Sequence, residues 1–379
     1  MKIFFIADNL GGGGAEQQIV NIANNVNAEK RIFLTVDRGM RQADLDGKIP
    51  LSGGYGRRTP LKSVLEIKNL IDSFRPDIVH SFLMYSCFLT AVALKLSRGR
   101  PVFIAQEFSS PQDILNDVKF GSFKKWLLKF SYKSADKILT VSKAVLDDMI
   151  GKGYFSDPLK GAYIYDGLNI RRYKNLESKE ALRKKLGLEP EIFYIAFAGA
   201  VVKAKGLFYL INAFRELPHE KIRLLIIGRG EMTEYFRGLG GGDGRIEFLG
   251  YKKNAVEYIR ASDLFVLPSL HEGLPNVVIE AMTTGTPVIS TNVFGAAELI
   301  ENERSGLLVP PADTGGLKQA MIRLIDDGSS RESFAREAMK KADYFSIERM
   351  TGDYESFYLS LLNEGGGSIK DAARRGGGV

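Results

Sequence analysis

LFVLPSLHEGLPNVVIEAMTTGTPVIST, residues 264–291, reads as strand, turn, helix and strand in one continuous stretch. LFVLPS (264–269) and TPVIST (286–291) are short apolar runs bounded by turn residues, the mark of buried strands. Between them a Gly-Leu-Pro turn opens a helix, because Pro275 suits the first helical position, where its missing N–H costs nothing. Glu272 therefore precedes the helix and Glu280, eight residues on, lies inside it. The first-turn N–H groups around Gly273, Leu274, Pro275, Asn276 and Val277 form a ready site for a diphosphate, with one carboxylate at each end.

The same grammar runs outward in both directions. KIFFIAD (2–8), RIFLTVD (31–37), DIVHSF (77–82), PVFIAQE (101–107), KILTVS (137–142) and AYIYDGL (162–168) alternate with longer amphipathic segments. After the charged stretch 175–191 the pattern restarts with FYIAFAGA (193–200), IRLLIIG (222–228), RIEFLG (245–250), the quoted stretch, and GLLVPP (306–311). Near-continuous apolarity implies strands covered on both faces by helices, so the fold class is α/β with parallel sheets. The expectation is two Rossmann-like domains, 1–168 and 169–345, facing across a cleft, because such sheets bind ligands beyond the carboxyl ends of their strands. SIERMTGDYESFYLSLL (346–362) reads as a final helix, and the Gly-rich 365–379 as a flexible tail without a core.

Bulk properties narrow the partners. A chain of 379 residues exceeds what one core organises, and 52 Lys+Arg against 45 Asp+Glu gives +7, which favours anionic partners; nothing supports nucleic acid. A single cysteine, Cys87, forbids an internal disulfide and fits a reducing compartment. The first strand starts at once and no apolar run approaches a membrane span, so the expected location is cytoplasmic.

EGLPNVVIEAMTTGTPVIST resembles the E-x7-E signature of family 4 glycosyltransferases, retaining enzymes of the GT-B fold. GAAEL (295–299), SGLLVPPAD (305–313), SADKILTVSKAV (134–145) and YDGLNIRRY (165–173) also resemble family stretches, so the likeness spans nearly the whole chain. It implies a sugar moved from a UDP- or GDP-sugar to a hydroxyl of a glycan or lipid-linked glycan in cell-surface polysaccharide synthesis, without a metal or other cofactor. Glu280 would hold the ribose, Glu272 the donor sugar, and 346–362 would be the helix that crosses back to the first domain.

The remaining candidates follow from the same comparison. Gly11–Gly14 lead into a helical segment, and the resemblance places Gly13 and Gly14 against the donor; the dinucleotide fingerprint fails because its sixth position falls on Glu16 or Gln17. GAVVKAKG (199–206) resembles the family's Gly-Arg-Leu…Lys-Gly motif, so Lys205 and Lys203 would meet the charge growing on the leaving diphosphate. The family arginine falls on Ala200, which motivates a rival reading as a non-catalytic nucleotide- or glycan-binding member. His80, Phe82 and Glu107 form the expected acceptor side, His80 being expected also among the catalytic residues with Glu272 and Lys205, and Phe82 stands where the family often has a second histidine. Among His80, His219, His271 and Cys87 no metal-ligand spacing occurs. Finally, Phe120, Phe123, Trp126, Leu127 and Phe130 interleave with Lys119, Lys124, Lys125, Lys129 and Lys133, a pattern suited to peripheral contact with an anionic bilayer through 119–133.

Overall fold

The computed structural model describes residues 1–37, 39–54, 59–112 and 121–374, with side chains to residue 363. Lys119 and Phe120, and the end of the tail beyond 374, lie outside the described residues. The chain forms two compact units, Met1–Gly167 joined by the segment from Glu348 onward, and Leu168–Ile347.

The first unit is built on seven parallel strands: β1 (Lys2–Asn9), β2 (Glu29–Asp37), β3 (Leu51–Gly53), β4 (Ile78–Phe82), β5 (Val102–Glu107), β6 (Lys137–Thr140) and β7 (Gly161–Tyr163), in the order β3-β2-β1-β4-β5-β6-β7. The second has six, β8 (Phe193–Ala198), β9 (Ile222–Ile227), β10 (Ile246–Gly250), β11 (Leu264–Leu267), β12 (Val288–Thr291) and β13 (Leu307–Val309), in the order β10-β9-β8-β11-β12-β13. Each order reverses direction once, between β1 and β4 and between β8 and β11. At such switch points the loops after the two adjacent strands diverge and leave room for a ligand.

Strand interiors such as Phe4, Phe5 and Ile6, or Phe265 and Val266, are fully buried, as two-sided helical cover demands. Helix starts are closed by short polar side chains: Thr59, Ser142, Ser178, Asp313 and Asp327 each accept from the backbone N–H three residues on. Gly187 ends the helix Lys179–Leu186 in the left-handed conformation that glycine adopts without strain.

Two expectations change. β3 is an unforeseen edge strand, too short and too glycine-rich to stand out in the sequence. The last helix spans Ile347–Arg374, well past 362, so helical backbone carries through Gly365–Gly367 into a stretch expected to be a flexible tail. Once a helix is nucleated, each further residue adds a bond while fixing only its own dihedrals, which offsets weak glycine propensity.

Candidate functional site

In the second unit the loops after β8 and β11, the two strands at the switch point, are locked to each other. Leu270 N donates to Ala204 O at 2.8 Å. Gly206, with φ +66°, sits so close to β11's exit that a Cβ there would lie 1.9 Å from the Pro268 carbonyl oxygen. Only glycine fits that position. The turn Lys203–Lys205 is thereby held against the Glu272 loop.

That placement brings two candidates into direct contact. Lys205 Nζ lies 2.5 Å from Glu272 Oε1, which also accepts from Ser269 Oγ at 2.7 Å. The Glu272 side chain is 10% exposed and that of Lys205 25%. Ser269 is fixed in turn, its carbonyl accepting from Thr291 Oγ1 on β12. Lys203 is exposed, and so is Ala200, two residues past the end of β8.

The helix begins one residue later than expected, at Asn276, with Pro275 as its N-cap and Thr283 as its last residue. Gly273, Leu274 and Pro275 are buried, whereas Asn276 and Val277 are half-buried and Asn276 Oδ1 has no hydrogen-bond partner. The Gly273–Leu274 backbone is braced from behind by the helix Phe294–Leu299: a Cβ on Gly295 would meet Gly273 O at 2.1 Å. The first-turn donors are thus presented by a turn with little room to move. Glu280, on the same helix, accepts from Tyr173 Oη at 3.2 Å. Tyr173 belongs to the short helix Ile170–Lys174, 107 residues away in sequence, and no spacing pattern could have paired them.

The first unit's glycine loop is packed by neighbouring side chains. A Cβ on Gly13 would lie 2.4 Å from Glu16 Oε2 and one on Gly12 2.8 Å from the Met40 methyl, so the loop's own side chains pack against these glycines. Arg41 folds over the loop, its N–H donating to Leu10 O at 2.9 Å and its guanidinium to Gln17 Oε1. At the end of β1, Asp8 accepts from Ser86 N at 3.0 Å and Ser86 Oγ at 2.5 Å, and burial raises its pKa above the usual carboxylate value. Its sequence signal was an acid closing an apolar strand just before the glycines.

His80, Phe82 and Glu107 need correction as acceptor-side residues, since the residues are 0%, 0% and 2% exposed. By the two-residue alternation of a strand, His80 and Phe82 share one face of the sheet with Gln106, which pairs with Phe82 on β5. That face is covered by the last helix. His80 Nδ1 lies 2.7 Å from Tyr358 Oη, the imidazole stacks on Phe82 at 4.3 Å, and Gln106 exchanges hydrogen bonds with Tyr354 Oη at 2.8 and 3.0 Å. Burial holds the imidazole down at about 3, so it is neutral at physiological pH. Glu107, on the opposite face, accepts from Tyr132 Oη at 3.1 Å, and burial pushes its carboxyl up to about 8.

On the helix Gly121–Ser134, Phe123 and Trp126 are 59% and 55% exposed. They stack on each other at 6.1 Å, and Trp126 stacks on the half-buried Phe130 at 5.8 Å. Lys125, Lys129 and Lys133 on the same helix are exposed, while Leu127 is half-buried. Among the described residues no helix is long and apolar enough to cross a membrane.

Comparison with known proteins agrees with this architecture. Residues 178–341 match the family model "Glycosyl transferases group 1" and residues 12–172 match "Glycosyltransferase Family 4". The chain is 31% identical to the lipopolysaccharide core biosynthesis glycosyltransferase LpsE of Rhizobium meliloti, over 92% of this chain and 96% of that one. It is 28% identical to the Escherichia coli UDP-Gal:alpha-D-GlcNAc-diphosphoundecaprenol alpha-1,3-galactosyltransferase, over 80% of each. Among solved structures, Anabaena Alr3699/HepE in complex with UDP superposes with a TM-score of 0.83 at 22% identity, over 95% of this chain and all of that one. Two parallel Rossmann-like units, both family models and near full-length identity to LpsE together establish that the chain belongs to the family 4, group 1 glycosyltransferases and has the GT-B fold.

Proposed function

We propose that the protein is a retaining glycosyltransferase that moves a sugar from a nucleoside diphosphate donor to a hydroxyl of a glycan or lipid-linked glycan during synthesis of a cell-surface polysaccharide. The carrying observation is the Lys205–Glu272 contact at 2.5 Å beside the start of the helix that bears Glu280.

Each group has a part in the transfer. First-turn N–H groups of Asn276 and Val277 hold the diphosphate, and Glu280, oriented by Tyr173, accepts from the ribose hydroxyls. Glu272 accepts from hydroxyls of the donor sugar. As the anomeric bond breaks, negative charge grows on the β-phosphate, and Lys205 together with the helix start stabilises it in the transition state. The departing phosphate takes the acceptor proton on the same face, so configuration is retained and no side chain acts as base. These fixed positive groups take the place of a divalent ion, and the reaction is metal-independent.

The sugar-nucleotide donor is supported by Anabaena HepE, crystallised with UDP and with UDP-glucose. The acceptor class is supported by LpsE and by the E. coli enzyme, whose acceptor is a diphosphoundecaprenol-linked sugar. Acceptor recognition is assigned to the first unit, and Phe123, Trp126 and the neighbouring lysines rest on the anionic inner surface of the membrane, placing a cytoplasmic enzyme beside a lipid-linked substrate.

Ala200 favours a second reading, a nucleotide- or glycan-binding member without turnover, because alanine offers no charge where the family has arginine. A turnover assay against UDP- and GDP-sugars with lipid-linked acceptors separates the two. Sugar transfer supports the enzyme, and nucleotide binding without transfer supports the second reading.

A further inference from the structure

The second unit holds a cavity of about 400 Å³ at the far end of the Glu280 helix, where Thr283 and Thr284, its last residue and C-cap, form part of the wall. Four cations line it, Lys174, Arg260, Arg336 and Lys340, against one carboxylate, Asp343. Their existing partners leave positive charge over. Lys174 takes Asp343 at 2.5 Å, Lys340 takes the neighbouring Glu337 at 2.6 Å, and Arg260 donates to the Thr284 carbonyl that the helix leaves unpaired. Arg336 has no ion pair among the described residues.

This arrangement differs from a solvated basic face in three respects. The cations come from three separate segments: the helix Ile170–Lys174, the helix Ala255–Ala261 and the helix Gly328–Ala342. They converge on one concavity, whose volume is that of a small-ligand pocket. Tyr173 and the half-exposed Met339 supply an aromatic and a thioether wall beside them. Guanidinium groups match phosphate oxygens in pairs, which a lone lysine cannot do.

We infer that this cavity binds a phosphorylated small molecule, with the phosphate held by Arg336 and Lys340 and the organic part laid against Tyr173 and Met339. Tyr173 is shared with the donor site, where it orients Glu280, but the four cations take no part in the donor-binding turn at Lys205 and Glu272, so the phosphate-binding site is a second one.

Isothermal titration of the full chain with inorganic pyrophosphate tests this directly, comparing wild type with the double variant Arg336→Glu, Lys340→Glu and with Lys205→Ala. Arg336 and Lys340 are exposed, so the double variant should fold, and its melting curve checks that it does. Should it melt early, Arg336→Gln alone is read in the same way. The expected result is a binding component weakened at least tenfold in the double variant and retained in Lys205→Ala. The inference is overturned if wild type binds no pyrophosphate, or if every binding component survives the double substitution. It is also overturned if these two residues are needed only for binding to phosphatidylglycerol vesicles.

Discussion

Lys205 Nζ and Glu272 Oε1 stand 2.5 Å apart, joining the loop after β8 to the loop after β11 by an ion pair across the switch point. The pair is partly shielded, so its charges are less screened than those of a surface bridge. Lys205→Ala is expected to lower kcat by about 10²–10³, the scale of removing one group that stabilises developing negative charge. It should leave the melting temperature nearly unchanged, because Glu272 keeps its bond from Ser269 and some access to water. Steady-state kinetics with the cognate donor provide the check; an unaltered kcat would remove Lys205 from the reaction.

Gly206 tests the geometry that makes this contact. With φ +66° and a hypothetical Cβ 1.9 Å from a backbone oxygen, Gly206→Ala must push the two loops apart. The expected loss is about 2–4 kcal/mol of stability by denaturant titration, from strain at a left-handed position plus a backbone clash. Gly242→Ala, at a site with nothing within 4 Å, should lose far less.

His80 and Glu107 predict a pH profile of stability. His80 has its folded pKa depressed to about 3 from 6.5, so the unfolded chain binds the extra proton and stability falls as pH drops from 6.5 towards 3. Glu107 has its folded pKa raised to about 8 from 4.5, so the folded chain binds the extra proton and stability falls as pH rises from 4.5 towards 8. Between pH 4.5 and 6.5 the two slopes cancel. From 6.5 to 8 only the Glu107 effect remains, at most about 1.4 kcal/mol per pH unit. Glu107→Gln, which can still accept from Tyr132, should flatten that alkaline limb in urea titrations at pH 6.5, 7.2 and 8. Equal slopes in wild type and variant would contradict this.

How much of this was legible before the structure depends on range. Strands such as KIFFIAD and IRLLIIG are near-continuous apolar runs that declare their burial locally, and so two parallel sheets could be read from them. The Glu272–Glu280 helix was also local, and only its first residue moved. What failed was the identity of the cover on a given face. His80 and Phe82 end a strand where ligands often bind, yet Tyr354 and Tyr358, four residues apart on a helix nearly three hundred residues away, close that face. The neighbours of the glycine loop were equally out of reach of the sequence: Met40, which packs on Gly12, lies 28 residues further on.

The aromatic and basic face of Gly121–Ser134 yields a prediction independent of the donor site. Phe123→Ser with Trp126→Ser removes two exposed rings, so the fold should be retained. Sedimentation with vesicles containing phosphatidylglycerol should show at least tenfold weaker binding, and raising salt should weaken the remaining electrostatic part. Wild-type binding that matches the variant would leave the face without a membrane role.

Calorimetry of UDP- or GDP-sugar binding to wild type and Glu280→Ala separates donor binding from catalysis, because Glu280 is oriented by Tyr173 and takes no part in bond breaking. Glu280→Ala should bind more weakly by about 1–3 kcal/mol, the scale of losing charge-assisted hydrogen bonds to a ribose, in a chain that melts like wild type. Equal affinity in the two proteins would contradict it.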